Sequence, residues 1–262
     1  MMKVLTKLIK QIFGLDSQFN VKPLKKLTYI GSKYHGYTIP DHLLTKESVC
    51  YCIGAGEDVS FDTELKRIFD AKVFVFDPMP EGRDYFMQLK QAVAVGDSLP
   101  VEGDTEFRYR ISSQKLDEIT YEEKGVWNRE TVMRFYSPVL DNYPSHSVYL
   151  FKNSGKYIDA PVDRLSHFMK KFGHTKLDLV KMEIEGAEYT VLDTIVKDKL
   201  DVKVICVEFD EIFHVRDIRY MFRIRKASRQ LEKAGFTLVH STPLMKRTFI
   251  REDIYLWLKS LE

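Results

Sequence analysis

The chain has 262 residues, 44% of them apolar and 30% charged, with a net charge of +2. These values fit one large globular domain better than two, and they lack the strongly basic balance expected of a nucleic-acid-binding domain. No stretch approaches the roughly 20 apolar residues of a membrane span, and the N-terminus lacks the apolar core and cleavage site of a secretory leader. Cys50, Cys52 and Cys206 sit in apolar runs without zinc-ligand spacing or a disulfide frame, so buried thiols in a cytoplasmic protein are expected.

In chain order, Val4, Leu5, Leu8, Ile9, Ile12 and Phe13 recur at helical spacing, with Lys3, Lys7 and Lys10 on the remaining surface. Residues 1–28 therefore read as an amphipathic basic helix and linker ahead of a domain spanning 29–262. The helix could make a peripheral contact with an anionic membrane or a partner; packing against its own domain is the commoner use of such a pattern. Lys22 to Lys26 reads as the linker, and Tyr34 to Pro40 as a turn-rich lead into the first core strand.

Val49 to Pro78 is the most telling stretch. The apolar run Val49 to Ile53 breaks at Gly54-Ala55-Gly56, a helical pattern follows, and a second apolar run ends at Asp77-Pro78. Strand, glycine turn, helix and acid-ended strand open a nucleotide-type binding fold. A dinucleotide fingerprint needs a third glycine where Val59 stands. Moreover, Glu57 and Asp58 would repel a pyrophosphate there while favouring the helix dipole. This disfavours an NAD-dependent dehydrogenase. Acids at the turn suit a cationic ligand without phosphate, and S-adenosylmethionine is one, with a ribose that Asp77 can hold.

Strand and helix patterns then alternate, as a parallel sheet covered on both faces requires. Ile119 to Trp127 is the expected third strand, after a surface loop from Gly96 to Gly103. Met133 to Tyr136 and Ser147 to Phe151 flank Pro138 to Pro144, which reads as an inserted hairpin or lid. Val162, Leu165, Phe168, Met169 and Phe172 mark a helix before the strand Leu177 to Ile184. A helix from Ala187 to about Leu200, a strand Val202 to Phe209, a helix from about Arg216 to Ala234, a strand Phe236 to His240 and a last strand around Ile254 to Leu258 complete the reading. On the 216–234 helix, Arg219, Arg223, Lys226 and Lys233 form a basic line that could face an anionic acceptor; a solvated face is the commoner cause. The α/β pattern matches the class I methyltransferase (Rossmann-like) architecture: a seven-stranded, mostly parallel sheet with helices on both faces, plus the inserted hairpin.

Tyr34-His35-Gly36-Tyr37, the turn Gly54 to Asp62, Phe76 to Pro80, Ser145-His146-Ser147 and above all Asp178 to Glu188 resemble the FkbM-type methyltransferases over about Tyr34 to Asp210. That resemblance implies S-adenosylmethionine-dependent methylation of hydroxyl groups, often on sugars of secondary metabolites or surface polysaccharides. Glu183 stands where the family more usually has Asp, which moves its oxygens by about one carbon–carbon bond.

Gly54, Ala55, Gly56, Glu57, Asp58, Asp77, Pro78, Ser145 and Ser147 are the expected cofactor-binding residues. Open α/β sheets bind ligands beyond the carboxyl ends of their strands, so Glu183, Glu185, Glu208 and Asp210 should share one crevice and position or deprotonate the acceptor, with His146 as an alternative base. Clustered carboxylates need a compensating charge or a raised pKa. A divalent cation such as Mg²⁺ on Glu183, Glu208 and Asp210 would supply the charge. Glu185 and Glu188 also suit the N-terminus of the next helix. His214 and His35 are further candidates near the site. The expected acceptor is a sugar, free, nucleotide-linked, lipid-linked or polymeric. The alternatives are a small non-sugar hydroxyl or carboxylate, and a non-catalytic cofactor-binding scaffold.

Overall fold

The computed structural model describes residues 20–137, 156–209, 219–242 and 246–262. Strands β1 (Leu27–Ile30) and β2 (Tyr37–Pro40) pair as an antiparallel ribbon. They are followed by β3 (Val49–Ile53), α1 (Ser60–Phe69), β4 (Lys72–Phe76), α2 (Pro80–Ala94), α3 (Ser113–Asp117) and β5 (Thr120–Glu122). Next come β6 (Gly125–Trp127), β7 (Thr131–Tyr136), β8 (Tyr157–Arg164), α4 (Leu165–Phe172) and β9 (Lys176–Met182). The described chain closes with α5 (Glu188–Lys197), β10 (Asp201–Glu208), α6 (Tyr220–Lys233), β11 (Phe236–Ser241), β12 (Lys246–Arg251) and α7 (Glu252–Ser260).

Seven strands form the main sheet in the order β11-β12-β10-β9-β3-β4-β5, parallel from β10 to β5, with β12 antiparallel to both neighbours. Every residue of β3 is buried, because helices cover both faces. Leu65 of α1, Phe86 and Leu89 of α2, Leu116 of α3 and Leu258 of α7 pack on one face. Phe168 of α4, Val191 of α5 and Ile224 and Leu231 of α6 pack on the other. Each such side chain contributes about 1.5–3 kcal/mol by leaving water. The chain runs outward from β3 to β5 on one side and from β9 to β10 on the other, so a crevice opens at the carboxyl ends of β3 and β9. All three cysteines are free and buried.

Four expectations change. The run Ile119 to Trp127 is two strands: β5 ends the main sheet, and β6 joins a separate sheet in the order β6-β8-β7. Gly125 permits that departure, since a Cβ there would lie 3.0 Å from Val162 and 3.1 Å from Pro78. Val162 is in β8, paired with Gly125 and Thr131, and the helix begins at Leu165. The last strand is Lys246–Arg251, whereas Ile254 to Leu258 is helical, with Glu252 and Asp253 in the first turn where the helix dipole favours acids. Finally, the stretch 22–26 is tied to the domain: Leu24 is buried and the Lys22 N–H donates to Leu238 O at 2.8 Å. The amphipathic segment 4–13, the 138–144 lid, Ser145, His146, Ser147, Asp210 and His214 lie outside the described residues. Among the described residues no helix is long and apolar enough to cross a membrane.

Candidate active site

The glycine turn is built by the neighbouring strands. Gly54 N donates to Phe76 O at 2.9 Å and Glu183 N to Ile53 O at 3.0 Å, which brings the ends of β3, β4 and β9 together. Gly54 has φ +85°, and a Cβ there would sit 1.9 Å from Glu183 O, so only glycine fits. At Gly56, φ is +50° and a Cβ would meet nothing within 4 Å. The turn is closed on one side and open on the other.

Asp77 holds this turn. Its Oδ2 accepts from Ala55 N at 2.7 Å and Gly56 N at 2.9 Å, and its Oδ1 from Met79 N at 2.8 Å. Burial raises its pKa against those three bonds. Asp77 is expected on ribose hydroxyls, whereas most of its acceptor capacity serves the backbone. The same bonds occupy the N–H groups that a phosphate would need, which agrees with a phosphate-free ligand. Asp58 also faces the protein, accepting from Ser32 Oγ at 2.6 Å and Ser60 N at 2.7 Å, while Glu57 is exposed.

We expect Asp77→Asn to lower folding stability by about 1.5–3 kcal/mol, the range for a bond to a charged group, and to weaken S-adenosylhomocysteine binding by loosening the turn. Denaturant unfolding and calorimetry would check both. Unchanged values in both would remove Asp77 from the turn's support.

At the end of β9, Glu185 takes the left-handed conformation with φ +49°, followed by Gly186 at φ +101°. A non-glycine residue there is strained and needs support. Glu188 supplies it, accepting from Ile184 N at 2.9 Å and Gly186 N at 2.8 Å. Burial, with the Glu185 charge adding to it, pushes the Glu188 carboxyl up to about 8. Glu188 therefore clamps the turn, a larger role than a favourable place at a helix N-terminus.

Glu183 is the hub of the charged cluster. Lys181 Nζ lies 3.1 Å from its Oε2 and donates to Gly54 O at 2.6 Å. Lys246 Nζ bonds its Oε1, lies 2.8 Å from Glu208 Oε2 and sits 4.4 Å from the centre of the Tyr37 ring. His35 Nδ1 is 3.3 Å from Glu183 Oε2. The register explains part of this, since Glu208 of β10 is paired directly with Lys246 of β12. Against its own burial, the two ammoniums and the imidazole hold Glu183 well below the usual carboxylate range. Burial, helped by the Glu183 charge, pushes Glu208 up to about 7 despite its partner Lys246.

The described residues of this cluster do not fit the expected metal, on chemical grounds. The compensating charge is carried by Lys181 and Lys246, and the Lys246 ammonium occupies the place between Glu183 and Glu208 where a cation would bridge them. Among the described residues no group of three His, Cys, Asp or Glu has the arrangement of a metal site. Sequence reasoning missed both lysines. Lys181 carried a signal, because a lysine inside the buried run Leu179 to Met182 must face an acid. His167 pairs with Asp163 and His174 with Tyr51, away from this cluster.

An apolar recess adjoins the turn, lined among others by Ile53, Pro78, Trp127, Met133, Phe135 and Ile184. Near Asp77, Tyr121 stacks on Phe86 at 5.1 Å and its hydroxyl is buried without a hydrogen-bond partner among the described residues. A glycine turn that is open at Gly56, with the exposed acid Glu57 beside it, suits an adenosyl ligand bearing an ammonium.

An open sheet in this strand order, with a glycine turn after its central strand and an acid after the next, has the class I methyltransferase fold. The family model described as the methyltransferase FkbM domain matches residues 52–237, and the chain belongs to that family. It is thus an S-adenosylmethionine-dependent methyltransferase. Similar solved structures include a precorrin-6y C5,15-methyltransferase from Geobacter metallireducens (14% identity, 79% of this chain and 82% of that one, TM-score 0.40). The Methanococcus jannaschii fibrillarin pre-rRNA processing protein is another (12%, 90% and 87%, TM-score 0.41). A third is M. jannaschii TYW2 in complex with AdoMet (9%, 88% and 89%, TM-score 0.31). No curated protein matches the chain in sequence.

Proposed function

We propose that the protein methylates a hydroxyl oxygen, and that its acceptor is a sugar in a glycan, polysaccharide or glycosylated metabolite. The observation that carries this reading is the charge-balanced cluster of Glu183, Glu208, Lys181 and Lys246 beside the glycine turn, with His35 at its edge. S-adenosylmethionine supplies a methyl on a sulfonium, whose departing thioether is neutral. What remains for the protein is to hold the oxygen in line and receive its proton. Lysines and carboxylates that are already paired supply fixed dipoles for an acceptor rich in hydroxyls, at little reorganisation cost. The recess with Trp127 and Phe135 offers apolar surface to the C–H face of a sugar ring.

The test is release of S-adenosylhomocysteine against nucleotide sugars, glycans, and non-sugar alcohols and acids, with mass analysis of the product. We expect saturable turnover with a sugar and a gain of one methyl on oxygen. Turnover confined to non-sugar acceptors would overturn the sugar assignment. Because lysines balance the carboxylates, the rate in excess chelator should stay within about twofold of the untreated rate. Loss in chelator, restored by Mg²⁺, would show that the charge argument is wrong.

A further inference from the structure

His35 lies outside the family's most specific motif, yet its surroundings hold it firmly. The 31–36 turn between β1 and β2 is pinned at several points. Gly36 N donates to Ser32 O at 2.9 Å, His35 N to Ser32 Oγ at 3.2 Å, and Ser32 N to Ser60 Oγ at 2.7 Å. Ser32 Oγ in turn donates to Asp58 at 2.6 Å. A Cβ on Gly36 would lie 2.4 Å from Ile30 O, and one on Gly31 would lie 2.7 Å from Gly36 Cα, so the backbone crosses itself too closely for other residues. The imidazole is thereby carried on a fixed turn anchored to the start of α1.

Its two edges meet different environments. Nδ1 faces Glu183 Oε2 at 3.3 Å, which turns the Nε2 edge away from the carboxylate. The His35 side chain is 45% exposed, whereas those of Glu183 and Glu208 are 12% and 11% exposed. Within the cluster, His35 is the titratable group a ligand in the crevice can reach most readily. Glu183 is kept ionised by Lys181 and Lys246, so it can orient the ring and stabilise its cation without itself taking the proton.

We propose that His35 Nε2 is the base that receives the acceptor's hydroxyl proton, with Glu183 as its positioning residue. The assignment rests on the hydroxyl-methylation reading above. As the acceptor oxygen bonds to the methyl carbon, the carbon–sulfur bond breaks with its electron pair going to sulfur. The O–H bond breaks towards Nε2, and the products are the methyl ether, a neutral thioether and an imidazolium facing Glu183. The charged groups around the ring are Glu183 just after β9, Asp58 from the turn before α1 and Lys246 from β12. The two acids outweigh burial and Lys246, raising the imidazole pKa above 6.5. The rate should therefore rise with pH through a value above 6.5, as the neutral base forms.

The experiment compares the full chain with His35→Gln and His35→Gly, using the best acceptor from the panel. It measures kcat and KM across the imidazole range and S-adenosylhomocysteine affinity by calorimetry. We expect His35→Gln to lower kcat about 10²–10⁴-fold while leaving cofactor affinity within about threefold, with loss of the rising limb. Added imidazole should restore part of the rate to His35→Gly. In Glu183→Gln the limb should move to lower pH; NMR titration of His35 in that variant gives the same shift without an activity assay. A limb that persists in His35→Gln overturns the proposal in favour of another base, such as Glu208. A parallel fall in cofactor affinity also overturns it, by making His35 a cofactor ligand. If the unaltered chain methylates no hydroxyl at all, while His35 still titrates above 6.5 and responds to Glu183→Gln, the hydroxyl-methylation reading fails. The proton-acceptor role then falls with it, and the measured pairing stands.

Discussion

Lys246→Met is expected to destabilise the fold by about 3–5 kcal/mol, the cost of leaving buried charge unpaired. Methionine keeps the stem of the lysine side chain up to its last carbon, so the effect chiefly reports the ammonium. Without it, Glu183 and Glu208 face each other in a site where both side chains are nearly buried. The Glu208 pKa, already pushed up to about 7, should rise further. A carboxyl whose folded pKa exceeds its unfolded value binds its proton more tightly when folded, so stability falls as pH rises between the two values. The loss in Lys246→Met should thus be largest above neutral pH and shrink on acidification. Adding Glu208→Gln should recover part of it, as a coupled pair requires. Urea unfolding of the two single variants and the double variant over a pH series measures all of this. A loss under about 1 kcal/mol that does not vary with pH would sink the charge-balance account.

Gly54→Ala carries the second large effect. The added methyl would stand 1.9 Å from Glu183 O and 2.9 Å from the Glu183 carbonyl carbon, at a φ of +85° that alanine rarely adopts. Neither contact is with a flexible side chain, so the ends of β3 and β9 must separate. Overpacking and left-handed strain together suggest about 2–5 kcal/mol, and the turn that receives the cofactor would shift with them. Gly56→Ala is the control: its φ is +50° and its Cβ would meet nothing within 4 Å, so about 1–2 kcal/mol from conformation alone is expected. Thermal unfolding and S-adenosylhomocysteine calorimetry on both variants decide the matter. Equal effects at the two glycines would contradict the close approach of the strands.

Much of the central architecture was legible because its determinants are local. An uninterrupted apolar run of four or five residues calls for burial on both faces, and Gly54 and Asp77 mark where two such runs stop. The acids at 183, 185 and 188 were legible as a group because they lie within one turn after a buried strand. Less legible was the outer part of the domain. Lys246 to Arg251 carries three basic residues and hides a strand whose side chains are mostly buried by tertiary partners. Ile254 and Leu258 are compatible with either a strand or a helix, and the acids before them favour the helix.

What the amino-acid order alone determined was the sequence of buried strands, the glycine turn, the acid-ended second strand and the absence of a third fingerprint glycine. These follow from backbone geometry and burial acting over a few residues. Only the tertiary structure decided the electrostatics of the site. Glu183 meets Lys246 across 63 positions of the chain and His35 across 148, and Asp77 turns back 21 and 22 positions to bind the Gly56 and Ala55 N–H groups. Charge pairing depends on distance in space and on the exclusion of water. Of the carboxylates whose clustering in sequence called for a compensating charge or a raised pKa, Glu183 and Glu208 therefore stand against lysines that the packing of β9 and β12 delivers to them.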